Sequence, residues 1–218
     1  MRRILSYLRK CSNVFVLKRI LNFGWCYKLF TRLANGRSAR RIIISDYIQP
    51  REGDRILDIG CGPAEFLELL PKVEYHGFDM NPRYIRNARQ YYGNRGEFTC
   101  EKIGQDNVKN PGAFDIVLAS AVLHHLTNEE AHDLFRTAWS ALKPNGRLIT
   151  VDCAYLPSQS WLERFLVSQD RGRHVRTPDE YQRLALSHFP ECKLEVRSDL
   201  LRIPYTHVIL VATKRVKP

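Results

Sequence analysis

Arg55-Ile56-Leu57-Asp58-Ile59-Gly60-Cys61-Gly62-Pro63-Ala64-Glu65-Phe66-Leu67 is the stretch from which the rest of the chain can be read. Ile56, Leu57 and Ile59 run straight into a glycine-rich turn, and Phe66, Leu67, Leu69 and Leu70 then recur at helical spacing. The pattern predicts a buried strand, a tight turn and an amphipathic helix over 64–70. Gly60 and Gly62 lack a Cβ, so the backbone can bend sharply and a ligand can approach its N–H groups. Asp58, at the strand tip, offers a carboxylate that orders those amides or meets a cationic part of the ligand. A ligand is expected here.

Spacing narrows the choice. A dinucleotide loop needs G-x-G-x-x-G, its last glycine allowing close packing under a pyrophosphate. The sixth position here is Glu65, a negative charge facing where a diphosphate would lie. Asp58-Ile59-Gly60-Cys61-Gly62-Pro63-Ala64 instead resembles motif I of the class I S-adenosylmethionine-dependent methyltransferases, with Ala64 where many members have a third glycine. The resemblance implies a Rossmann-like α/β fold: a seven-stranded, mostly parallel sheet with helices on both faces and the last strand antiparallel. It also implies S-adenosylmethionine as cofactor and S-adenosylhomocysteine as product.

Charge is unevenly spread. The net charge is +11, and residues 1–45 carry eleven Lys or Arg with no Asp or Glu, so the remainder is neutral. Residues 1–22 mix Ile4, Leu5, Leu8, Phe15, Val16, Ile20 and Leu21 with six cations. They read as a basic amphipathic helix or helix pair, suited either to an anionic membrane surface or to packing on the domain with its cations in water. A further helix is expected over 25–33, then one over 38–48. We divide the chain into a basic helical extension or lid (1–49) and a cofactor-binding domain (50–218). Tyr27, Arg37 and Tyr47 are candidate lid contacts, core packing or surface display being the alternative. The six cysteines form no C-x-x-C pair, which disfavours zinc and suggests reduced thiols in the cytoplasm. No metal is expected. The localisation that fits is cytoplasmic, with peripheral contact at the inner membrane surface.

Further motifs follow in register. Residues 73–79 read as a second strand ending in Asp79, 21 residues after Asp58. Ligands of open parallel sheets bind at the carboxyl ends of strands. The resemblance makes Asp79 the residue that pairs with both ribose hydroxyls, with Met80 beside the sugar or adenine. Residues 97–101 form a third strand, where the family's Gly-Asp-Ala is missing; whether Asp106 or a backbone group replaces that Asp stays open. Phe114 to Ser120 is the fourth strand, and Ser120 and Ala121 should run past the methionine end, with Asp58, Gly60, Cys61 and Gly62 on its other side. His124 and His125 are candidate catalytic groups, able to orient substrate or take a proton. The Asn/Asp-Pro-Pro-Tyr/Phe element of amino-methyltransferases is absent after this strand, which disfavours adenine-N6 and cytosine-N4 methylation.

Residues 142–152 give the fifth strand. A cationic loop with Arg171, Arg173, His174 and Arg176 follows, and with Tyr155 it is the candidate acceptor site. Guanidinium groups there suit a carboxylate or phosphate; the alternative is a solvated loop paired to Asp170, Asp179 and Glu180. Helices are expected over 161–167 and 178–189, the latter capped by Thr177 or nearby, and strands over 194–197 and 207–213 close the sheet. The expected activity is methyl transfer to an oxygen or nitrogen of a small-molecule or lipid-linked, anionic acceptor. RNA methylation, a catalytically silent partner subunit and a nicotinamide oxidoreductase are the alternatives, nucleic acid ranking lower because the extension has no stacking platform.

Overall fold

The computed structural model describes residues 36–108, 110–170 and 172–215. The basic segment 1–22, the helix expected over 25–33, Tyr27 and Arg171 lie outside the described residues.

Helix α1 (Gly36–Ile43) runs into a π-helical turn (Ile44–Ile48). Strands β1 (Arg55–Ile59) and β2 (Glu74–Phe78) come next, followed by helix α2 (Pro82–Tyr92) and β3 (Gly96–Thr99). The second half holds β4 (Phe114–Ser120), α3 (Asn128–Ala141) and β5 (Leu142–Cys153), then α4 (Trp161–Ser168), α5 (Pro178–Leu186), β6 (Glu191–Arg197) and β7 (His207–Thr213). One seven-stranded sheet results, in the order β3-β2-β1-β4-β5-β7-β6. β7 pairs antiparallel with both β5 and β6, while all other pairings are parallel. The order reverses between β1 and β4, so the carboxyl ends of those strands open a crevice where connections leave in opposite directions.

Two apolar layers sandwich the sheet. Leu57, Val117, Phe135, Leu148, Tyr181 and Leu210 belong to one, and Ile56, Leu67, Ile85, Leu118, Ile149 and Ile209 to the other. β1 and β4 are apolar on both faces because both are covered. Ala39, Ile43, Tyr47 and Ile48 join the second layer, so the core takes in residues ahead of the boundary expected at 50. Tyr47 is buried there, its hydroxyl accepting from Arg197 Nη1 at 2.8 Å, and Arg37 pairs with Glu68 at the surface, so Tyr47 packs in the core and Arg37 is displayed on the surface.

The helix expected over 64–70 is not formed. Successive turns replace it, with Ala64 N–H donating to Cys61 O, Leu67 N–H to Ala64 O and Leu69 N–H to Phe66 O. Ala64 adopts φ 60°, a left-handed conformation that stops a right-handed helix from starting. Phe66, Leu67 and Leu70 are buried nonetheless. Among the described residues no helix is long and apolar enough to cross a membrane.

Candidate active site

The glycine turn is locked to β2. Gly60 and Cys61 N–H both donate to Phe78 O, at 2.7 and 3.0 Å. Gly62 N–H donates to Asp79 Oδ2 at 2.9 Å, and Asn81 N–H to Asp79 Oδ1 at 2.7 Å. The amides of the turn are thus engaged within the protein. A pyrophosphate cradle needs outward N–H groups, and here the three are engaged. Glu65 plays no part in that exclusion, since it pairs with Arg40 at 2.7 Å. Gly60 has φ 70°, and a Cβ on it would come 2.6 Å from Val122 Cγ2, so glycine is required where the turn meets the segment after β4.

Asp58 lies buried beneath the turn. It is 2% exposed and accepts from the Tyr75 hydroxyl. Burial pushes its carboxyl up to about 7, the Tyr75 hydrogen bond opposing and the Asp79 charge adding. Cys61 is buried, and burial drives its thiol far above the usual range, so it serves as packing beneath the turn and not as a nucleophile. Asp79 is half-buried at the end of β2, and each of its oxygens keeps a lone pair beyond its backbone partner. Met80, the next residue, is 69% exposed, and Tyr84 in the first turn of α2 is 39% exposed. Ser120 ends β4, and Ala121 follows at φ 57° with its N–H donating to Val151 O. Left-handed Ala64 and Ala121 thus flank the crevice, the kind of strain that gathers at ligand sites. Asp106 is exposed in a short 3₁₀ turn.

His124 is enclosed between two carboxylates. It is 2% exposed, with Nδ1 2.8 Å from Asp152 Oδ1 and Nε2 3.1 Å from Asp170 Oδ1. Burial disfavours its charge, but the hydrogen bonds and charges of both aspartates outweigh that and push it up to about 9. His125 is exposed, its ring centroid 4.2 Å from that of His124. Arg176 lines the same groove as Arg173 and His174, with its guanidinium engaged within the protein. It is 7% exposed and gives its five N–H groups to Asn128 Oδ1 twice and to the carbonyls of Leu123, Leu126 and His174. That fork ties the cationic loop to the segment after β4. Arg173 and His174 line an open groove of about 600 Å³ with His132, Arg183 and Glu180. Tyr155 is half-buried under the Arg164 guanidinium, 5.1 Å from its ring centroid.

Residues 57–148 match a family model described as a methyltransferase domain. The chain is 32% identical to 27-O-demethylrifamycin SV methyltransferase of Amycolatopsis mediterranei, across 68% of this chain and 56% of that relative. It is 27% identical to a ubiquinone biosynthesis O-methyltransferase of Xanthomonas euvesicatoria, across 47% of this chain and 46% of that relative. The chain thus spans about half the length of these curated relatives. Among solved structures, phosphoethanolamine N-methyltransferase 2 of Haemonchus contortus superposes with a TM-score of 0.65 at 16% identity, covering 81% of this chain and 52% of that one; this likeness is one of fold. Motif, sheet order and family match together make residues 57–148 a methyltransferase domain of the class I S-adenosylmethionine-dependent family.

Proposed function

We propose that the chain transfers a methyl group from S-adenosylmethionine to an oxygen or nitrogen of a small-molecule or lipid-linked acceptor. The Gly62–Asp79 hydrogen bond carries this reading, because it joins the glycine turn to a carboxylate with acceptor capacity to spare. A ribose diol fits Asp79, since a carboxylate can take two O–H donors at once. Exposed Met80, next to Asp79 in the chain, offers an apolar surface to a purine. An α-ammonium group fits a turn whose N–H groups face inward above a buried carboxylate, Asp58.

When bound, the cofactor supplies an already electrophilic sulfonium methyl. The protein's part is then to hold donor and acceptor in line and to exclude water. Gly60, Gly62 and Ala121 shape the walls where the methionine end would lie, and Asp79 fixes the sugar. His125, exposed after β4, is the group suited to orient an acceptor hydroxyl or amine or to take its proton. Arg173 and His174 support an anionic acceptor, because they line the cationic groove. The Xanthomonas relative bears the name of an O-methyltransferase and the Amycolatopsis relative that of a methyltransferase named for a 27-O-demethyl compound, which favours oxygen as the acceptor atom. The basic stretch 1–22 supports contact with anionic lipid on composition alone.

The test is transfer of radiolabelled methyl from S-adenosylmethionine into a fractionated extract, with Asp79→Ala as the blank. Label in the small-molecule or lipid fraction is expected. Label in RNA, or none in any fraction, would overturn the acceptor assignment in favour of a nucleic-acid enzyme or a silent subunit.

A further inference from the structure

Side chains up to 46 positions apart in the chain converge at the carboxyl ends of β4 and β5. Donor atoms of His124, His125 and Asp170 all lie within 4.8 Å of one another. We propose that these three residues bind a divalent transition-metal ion of borderline softness, such as Zn²⁺, Co²⁺ or Fe²⁺.

The donor set selects that class. Two imidazoles and one carboxylate suit borderline ions, whereas Mg²⁺ and Ca²⁺ prefer oxygen throughout. Spacing agrees. Two ligands each about 2.0–2.2 Å from a common ion stand roughly 2.9–3.4 Å apart, and His124 Nε2 is 3.1 Å from Asp170 Oδ1, so an ion would take the place of the proton these two atoms share and release it to solvent.

What surrounds the donors is also that of a metal site. A ligating histidine usually gives its other ring nitrogen to a carboxylate, which fixes the tautomer. Asp152, 2% exposed, does this at His124 Nδ1 and also accepts from the His124 backbone N–H at 3.2 Å. Its other oxygen, Oδ2, is buried without a hydrogen-bond partner, so the carboxylate is committed to orienting this one ring. Asp170 is oriented in turn. The Tyr205 hydroxyl donates to its Oδ2 at 2.8 Å, and Gly172 N–H to its Oδ1 at 3.3 Å. A Cβ on Gly172 would fall 2.2 Å from His124 Cδ2, so only glycine lets the loop carrying Asp170 press against the ring. His125, on the exposed side, supplies the third donor within 4.8 Å of the other two, and three protein ligands leave further coordination positions open to water or substrate. Open positions mark a site that binds substrate or water, not a closed structural one. The inference stands on this cluster and does not depend on methyl transfer.

The experiment is titration of the metal-stripped full chain with Co²⁺, followed by its visible spectrum and by equilibrium dialysis. One ion per chain with nitrogen and oxygen ligation is expected, displaced by Zn²⁺. His125→Ala should weaken binding at least tenfold, and because that side chain is exposed the fold should survive, as circular dichroism would report. Asp170→Asn should do the same. His132 and His188 form a separate imidazole pair, their ring nitrogens 2.8 Å apart, so His132→Ala serves as a control expected to change nothing. The proposal is overturned if no Co²⁺ binds. It is equally overturned if a sulfur-to-cobalt charge-transfer band puts the ion on cysteine, if His125→Ala leaves affinity intact, or if His132→Ala abolishes it.

Discussion

Asp79 and Gly62, 17 positions apart in the chain, are joined by a 2.9 Å hydrogen bond from backbone to carboxylate. The bond makes the glycine turn and the end of β2 a single rigid edge of the crevice. Loss of the carboxylate should therefore be felt twice, in the ligand contacts and in the turn.

Asp79→Ala should weaken S-adenosylmethionine binding by about 10²–10⁴-fold, since two hydrogen bonds to a charged acceptor contribute about 1.5–3 kcal/mol each. Calorimetry reads this directly. Unchanged affinity would remove Asp79 from the site.

Asp58 makes cofactor affinity depend on pH. Its carboxyl is raised to about 7 when no cation lies above it. An ammonium group over the turn favours the charged form, so binding releases a proton and affinity should rise as pH climbs through about 7. Asp58→Asn should flatten that rise. Affinity independent of pH in the wild-type chain would mean that no cation sits there.

His124 gives a stability effect of defined sign. Its folded value, about 9, lies above its ordinary 6.5, so the stabilisation is fully present below 6.5 and is lost as pH rises through 9. Denaturant midpoints measured with a chelator present should fall across that window. Asp170→Asn should reduce the slope; an identical slope would show that Asp170 does not hold the imidazolium.

Arg176→Ala should cost about 2–4 kcal/mol of stability, because it strands carbonyls that a charged donor now satisfies. Equilibrium unfolding is the measurement. A variant that is fully stable but loses acceptor affinity would assign Arg176 to the acceptor site.

Much of this was legible in the sequence, for identifiable reasons. β4 runs from Phe114 to Ser120 as expected because a strand covered on both faces is a continuous apolar run. Thr177 caps α5 as read, through reciprocal bonds with Glu180. Residues 64–70 misled because periodicity reports burial, not backbone geometry. Phe66, Leu67 and Leu70 are buried as a helix would bury them, yet left-handed Ala64 sets a chain of turns. The partners of Asp58 and Arg176 were not legible, because residue type says nothing of which way a side chain faces; Tyr75 and the carbonyls after β4 engage them. The Asp152–His124–Asp170 cluster had no motif to find, since its members come from three separate segments. The visible clue was an aspartate at the end of β5, beside a strand end already marked by paired histidines.

The most direct test of the account is calorimetric titration of the full chain with S-adenosylhomocysteine and, separately, with NADH. One S-adenosylhomocysteine site per chain, competed by S-adenosylmethionine and not by NADH, is the predicted result. NADH binding without S-adenosylhomocysteine binding would contradict it, because the inward-facing amides of Gly60, Cys61 and Gly62 leave no cradle for a diphosphate.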